Sequence, residues 1–121
     1  MPHDDGSPVF DDSVLRGVAE SAGMAPAELL ELFITDAEAN LAVIAEASAR
    51  GDAVALNRTA HSMKSSAASV GAVRVAQAAR LLEAATKSGL DDAGLAACAT
   101  LAEELATFIA IATLRGSGLA Q

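Results

Sequence analysis

Tryptophan and tyrosine are absent from this 121-residue chain, and phenylalanine occurs only three times. Platforms on which nucleic-acid bases stack are therefore excluded. Basic residues are scarce too: eight Lys and Arg stand against sixteen Asp and Glu, a formal net charge of −8. A nucleic-acid binder would show a basic face, so no nucleic-acid partner is expected. The single cysteine, Cys98, rules out an intrachain disulfide and a cysteine-rich zinc site. In its apolar segment it reads as a small buried hydrophobe. No apolar run reaches the roughly 18 uninterrupted residues of a membrane span. The N-terminal residues lack the basic and apolar regions of a signal peptide. The expectations are no membrane association and a cytoplasmic location. There is no phosphate-binding P-loop and no kinase ATP motif, so the chain should not phosphorylate itself from ATP. Without a Glu-x-x-His pair, a carboxylate di-metal bundle is unsupported. The strand-turn-helix nucleophile site of a Ser–His hydrolase is also missing.

What is present favours helix. Hydrophobic residues make up 52% of the chain and charged residues 20%, too apolar for disorder. Thirty residues are alanine, and clustered β-branched or aromatic strand signals are almost absent. Gly23 with Pro26, Gly51-Asp52, Gly71, Ser88-Gly89 and Gly116-Ser117-Gly118 punctuate the chain. They predict helices over about 11–21, 26–50, 52–70, 72–88 and 91–115. Leu30, Phe33, Ile34, Ala37, Leu41 and Ile44 form an apolar stripe on the second. Leu56, Ala60, Met63, Ala67 and Val70 do so on the third. Val75, Ala78, Ala79 and Leu82 line the fourth, and Leu101, Leu105, Phe108 and Ala112 the fifth. Asp52, Asp91 and Asp92 suit helix N-termini. Four long amphipathic helices with short connections predict an all-α fold, an antiparallel up-down four-helix bundle. The short first helix would cover one end. Residues 1–9, which include His3, read as a flexible leader, 10–115 as the bundle and 116–121 as a flexible tail.

His61 does not fit a bundle interior. It lies about 140° from Leu56 on a helix that turns about 100° per residue, so it points outward. Its surface neighbours are Asn57, Arg58, Lys64 and Ser65. An exposed helix histidine usually has no role, but this one has a cation one turn later. The small residues Ser65, Ala68 and Ala72 follow on the same face, where another backbone can come close.

The stretch from Ala60 to Ala72 resembles the histidine-containing phosphotransfer (HPt) family. The family pattern is Ala-His-x-Leu-Lys-Gly/Ser-Ser/Ala, a Gly ten residues after the His, often an Ala next, and later a Leu-Glu pair. Ala60, His61, Lys64, Ser65, Ser66, Gly71 and Ala72 match it, and Leu82-Glu83 match the later pair. Met63 stands where the family has Leu, a similar apolar volume. The likeness extends through 9–15, which look like the family's first helix, and 28–33, which look like its second.

The resemblance implies a phosphorelay intermediate. His61 would accept a phosphoryl group from a receiver-domain aspartyl phosphate and pass it to another receiver aspartate, with Nε2 the expected attacking atom. Imidazole can attack phosphorus and later leave, so transfer is reversible. Lys64 would offer a point charge to the phosphoryl oxygens, Ser65 a hydroxyl or open backbone, and Arg58 further help. Ala76, Arg80, Glu83 and Lys87 share one side of the fourth predicted helix. Glu83 either orients the histidine, as the family's Gln or Glu often does, or pairs with Arg80 or Lys87. Asn57, Ala68, Gly71, Ala76, Arg80 and Glu83 are thus supporting or docking candidates; Gly71 is best explained by the turn it makes. Docking is expected on the second and third helices around His61. The partners are receiver domains of response regulators or hybrid histidine kinases, met transiently. They would bring the aspartate and Mg²⁺, and this chain would bind no metal or other cofactor itself. The Arg58–Lys64 spot in an acidic molecule would mark the docking centre. A monomer is expected, free-standing given Met1-Pro2. Two other readings share these residues: a non-catalytic adaptor that binds a receiver or another regulator, and the phospho-accepting domain of a larger histidine kinase.

Overall fold

The computed structural model describes the backbone of residues 9–119 and the side chains of residues 9–114. Its elements are α1 (Asp12–Ala22), α2 (Pro26–Arg50), α3 (Ala53–Ser69), α4 (Val73–Ala85) and α5 (Asp92–Leu119). Among the described residues there is no strand.

Local chemistry sets the boundaries. The Asp11 carboxylate accepts the Ser13 amide at 3.1 Å and starts α1. The Asp52 carboxylate accepts the Ala55 amide at 3.0 Å and starts α3, and Asp91 accepts the Gly94 amide at 3.0 Å at the head of α5. Each satisfies an amide that a helix N-terminus leaves without a partner. Pro26 occupies the first turn of α2, where its missing N–H costs little. α4 ends at Ala85, three residues before Ser88. There the Thr86 hydroxyl donates to the Leu82 carbonyl at 2.7 Å and closes the last turn. α5 runs on to Leu119, through the Gly116-Ser117-Gly118 stretch at which the sequence reading ends the bundle. Glycine lowers helix propensity by only about 1 kcal/mol, which does not by itself stop a helix. Except for Val9, the expected leader lies outside the described residues.

The helices close a ring. α2 packs on α3 and α5, and α4 packs on the same two; among the described residues α2 and α4 do not pack together, nor do α3 and α5. α1 lies against α2 and α3. The core holds Leu30, Phe33, Leu56, Met63, Val75, Leu82, Leu101, Leu105 and Phe108, all on the predicted stripes, while Ile34 and Leu41 of the α2 stripe are only partly buried against it. The three phenylalanines meet there: Phe108 is edge-on to Phe10 and to Phe33, with ring centroids 5.5 and 5.3 Å apart. Val9 also packs against this core, so it belongs to the folded body and not to a loose leader. Cys98 is buried, and burial raises its thiol pKa. The segment Asp92–Leu114 of α5 is long and apolar enough, by length and composition, to cross a membrane. Here it carries Glu103 and Glu104 and buries Leu101, Leu105, Phe108 and Ala112 in the bundle.

Gly71 ties α1 to the α3–α4 turn. Its φ is +77°, in the left-handed region. Its carbonyl accepts the Asp11 amide at 2.7 Å. A Cβ placed on it would lie 2.1 Å from the Asp11 carbonyl oxygen. An alanine there meets left-handed strain of roughly 1–2 kcal/mol and a backbone that cannot yield without moving α1. Gly71→Ala is therefore expected to lower unfolding free energy by more than about 2 kcal/mol in urea titrations. Unchanged stability would mean that α1 is free to shift.

Candidate functional site

The α3 helix turns its apolar stripe inward, with Leu56, Ala60, Met63 and Ala67 at 0% exposure. The opposite consequence holds for His61, whose side chain is 69% exposed. Three α3 side chains at i, i+4 and i+7 then converge on one α4 residue, Glu83. His61 Nδ1 lies 2.6 Å from Glu83 Oε2. Lys64 Nζ lies 2.6 Å from Glu83 Oε1. The Asn57 side-chain amide donates to the Glu83 backbone carbonyl at 2.8 Å.

This geometry assigns the imidazole protons. A carboxylate only accepts hydrogen bonds, so Nδ1 must be the donor. In the neutral ring Nε2 then carries the lone pair. Glu83 is therefore positioned as an orienter of the imidazole, one of the two roles the sequence leaves open. Its ion-pair partner is Lys64, not Arg80 or Lys87. The hydrogen bond from Lys64, then that from His61, hold its carboxyl below the ordinary value of 4.5.

A cleft of about 340 Å³ opens beside the imidazole, lined by Val54, Asn57, Arg58, His61, Ser62, Glu83, Thr86 and Lys87. It lies between α3 and α4, so the neighbours of the imidazole come from α4 and not from α2. Arg58 and Lys87 bring cationic side chains to its walls. Ser65 and Ala68 are exposed on α3 beyond His61. Arg80 is exposed and does not line the cleft.

Two candidates belong elsewhere. Ala76 is 6% exposed and sits in the core cluster. α4 packs against both α3 and α5, so its buried arc is wider than one stripe. Gly71 is buried against Asp11, which leaves it a turn-making role and no docking surface. Sequence reasoning missed Val54, Ser62 and Thr86 as lining residues and read Lys87 only as an ion-pair partner of Glu83. For Thr86 the available signal was its position three after Glu83, a spacing that shares a helix face.

The Hpt domain family model matches residues 28–111. The chain belongs to the Hpt domain family. Among solved structures it is similar to histidine-containing phosphotransfer protein B from Pseudomonas aeruginosa PAO1. The two share 29% identity over 93% of this chain and 97% of that one, with a TM-score of 0.83. No curated protein sequence matches it. Among the described residues of this Hpt domain, no group of three or more His, Cys, Asp or Glu is placed to hold a metal ion.

The lowered Glu83 carboxyl makes a pH prediction for this Hpt domain. A group whose folded-state pKa is depressed stabilises the fold above its unfolded value, and that contribution is lost as pH falls through the folded value. The difference in melting temperature between wild type and Glu83→Gln should thus hold steady at neutral pH. It should shrink below pH 4.5, followed by thermal melts across an acid series. A difference that grows with acid would contradict the assigned pairing.

Proposed function

We propose that the protein is a phosphorelay intermediate in two-component signal transduction. His61 takes a phosphoryl group from a receiver-domain aspartyl phosphate and hands it to the aspartate of another receiver. The single observation that carries this reading is an outward imidazole whose Nδ1 is held 2.6 Å from a carboxylate, which leaves Nε2 as the nucleophile.

The step balances without further reactants. The Nε2 lone pair attacks phosphorus, the acyl P–O bond breaks, and the receiver carboxylate leaves with the bonding electrons. The ring becomes positively charged as Nε2–P forms, and Nδ1–H stays against the Glu83 carboxylate that offsets that charge. Negative charge spreads over the three equatorial phosphoryl oxygens in transit. Arg58 and Lys87 sit on the cleft walls to meet it. Lys64 serves Glu83 in the resting protein and can turn its ammonium to the phosphoryl group once that arrives. Ser65 leaves room for the incoming backbone. Transfer back to a carboxylate runs the same path in reverse, with imidazole as leaving group.

The scaffold in this reading is an antiparallel up-down four-helix bundle, cytoplasmic and monomeric. The receiver supplies Mg²⁺ with its aspartate. Contact is transient, because a relay protein must release each partner. The test is labelling. Receiver domains charged with acetyl phosphate should transfer an acid-labile label that peptide mapping places on His61. A label that survives acid, or that maps to another residue, would overturn the reading.

A further inference from the structure

Glu83 is held at two points, and only one of them is its carboxylate. The second lies in its backbone, where α4 ends. The Glu83 carbonyl accepts the Asn57 side-chain amide at 2.8 Å. The same amide nitrogen lies 3.3 Å from the Thr86 hydroxyl oxygen. That hydroxyl has one proton, and it goes to the Leu82 carbonyl at 2.7 Å. Its oxygen is left to accept from Asn57. Asn57 thus spends both of its N–H groups on the last turn of α4, one on Glu83 and one on Thr86.

The placement is not superficial. Thr86 is 3% exposed and Asn57 is half-buried, so water competes poorly for these bonds. Asn57 lies one helical turn before His61 on α3, on the stripe that faces Glu83. The Asn57 bond fixes how far the end of α4 stands from α3. That distance decides whether the Glu83 carboxylate reaches Nδ1 at hydrogen-bond length. Histidines in metal and catalytic sites are held by outer groups in the same way, and losing such a group is felt at the reacting atom.

We propose that Asn57, acting with the Thr86 hydroxyl, is a positioning residue of the phosphotransfer site: it sets the Glu83 carboxylate against His61 Nδ1 and so keeps Nε2 free to attack. This inference rests on the phosphotransfer reading and adds a residue to it that touches no reacting atom.

The test separates the two. Phosphoramidate phosphorylates histidine without a docking partner: Nε2–P forms, P–N breaks, and ammonia leaves from the protonated amine. Labelling rates with phosphoramidate and ¹⁵N spectra of the His61 ring are measured together on the full chain. Wild type should show the neutral ring with its proton on Nδ1. Asn57→Ala should label about tenfold more slowly and lose that tautomer preference. Asn57→Asp keeps the shape but has no N–H to donate, and should change both readouts in the same direction. It stands in if the alanine variant does not fold. Thr86→Ser retains the hydroxyl and should keep the wild-type rate and tautomer. Folded Asn57 variants with the wild-type tautomer overturn the inference, whether or not their rate falls. A wild type that takes no label at His61 removes the phosphotransfer reading, while the tautomer spectra still decide whether Asn57 positions Glu83.

Discussion

His61→Gln is expected to take no phosphoryl group from any charged receiver and to melt with the wild-type protein. The two halves of that result come from one geometric fact. The imidazole is 69% exposed, so its replacement opens no cavity, and Glu83 keeps its Lys64 partner at 2.6 Å. Surface changes of this kind stay within about 0.5 kcal/mol. Glutamine keeps a polar side chain beside Glu83 and has no nitrogen lone pair able to attack phosphorus, since its amide nitrogen is conjugated with the carbonyl. One turn away the sign of the argument reverses. Leu56 is fully buried, and Leu56→Ala should cost roughly 2–5 kcal/mol through lost transfer energy and a cavity with the phosphoacceptor still present. Parallel melts and labelling assays on the two variants separate fold from chemistry. If His61→Gln melted as low as Leu56→Ala, the imidazole would be a core residue. If it still carried an acid-labile label, the acceptor would be another group.

Much of this is legible in the sequence because it depends on one helix at a time. The exposure of His61 follows from its angle to Leu56, and the boundaries follow from Asp52, Pro26 and the glycines. These are properties of a single chain direction, and periodicity carries them. What could not be read depends on how helices sit beside one another. Spacing alone puts Arg80 and Lys87 within reach of Glu83, and only the family resemblance offers His61; the offset between α3 and α4 selects His61 and Lys64. Ala76 looks like surface from one stripe and is buried because α4 has neighbours on two sides. Gly71 signals a turn, but its contact with Asp11 closes across three whole helices, α1 to α3. Arg74 and Glu104 form an ion pair at 3.2 Å between α4 and α5, nearly out of solvent, and neither residue carries a local mark of it. Asn57 is marked in the sequence as a neighbour of His61, but its bonds to Glu83 and Thr86 exist only once α3 and α4 are placed together.

The Glu83 variants test the electrostatic half of the site. In Glu83→Ala the Nδ1–H loses its acceptor, and the ring is free to carry its proton on Nε2, where it blocks attack. The charge that develops on the ring also loses its counter-ion. Removing the orienting partner of a catalytic imidazole costs between 10² and 10⁴ in rate in well-studied sites, so a fall of about 10²-fold is expected here. Glu83→Gln separates the two contributions. Its amide oxygen can still accept from Nδ1–H, so the tautomer is kept, but the negative charge is gone and Lys64 loses its ion pair. A fall of about tenfold or less is expected, since only the charge contribution is removed. The ordering carries the argument: wild type fastest, then Gln, then Ala, with binding of the receiver alike in all three because Glu83 is largely covered by its α3 partners. Stopped-flow transfer from one charged receiver, at concentrations that saturate the complex, measures it. Equal rates for all three would mean that the 2.6 Å contact between Nδ1 and the carboxylate has no part in making Nε2 a nucleophile. Equal loss in Gln and Ala would place the whole effect in charge and none in the tautomer.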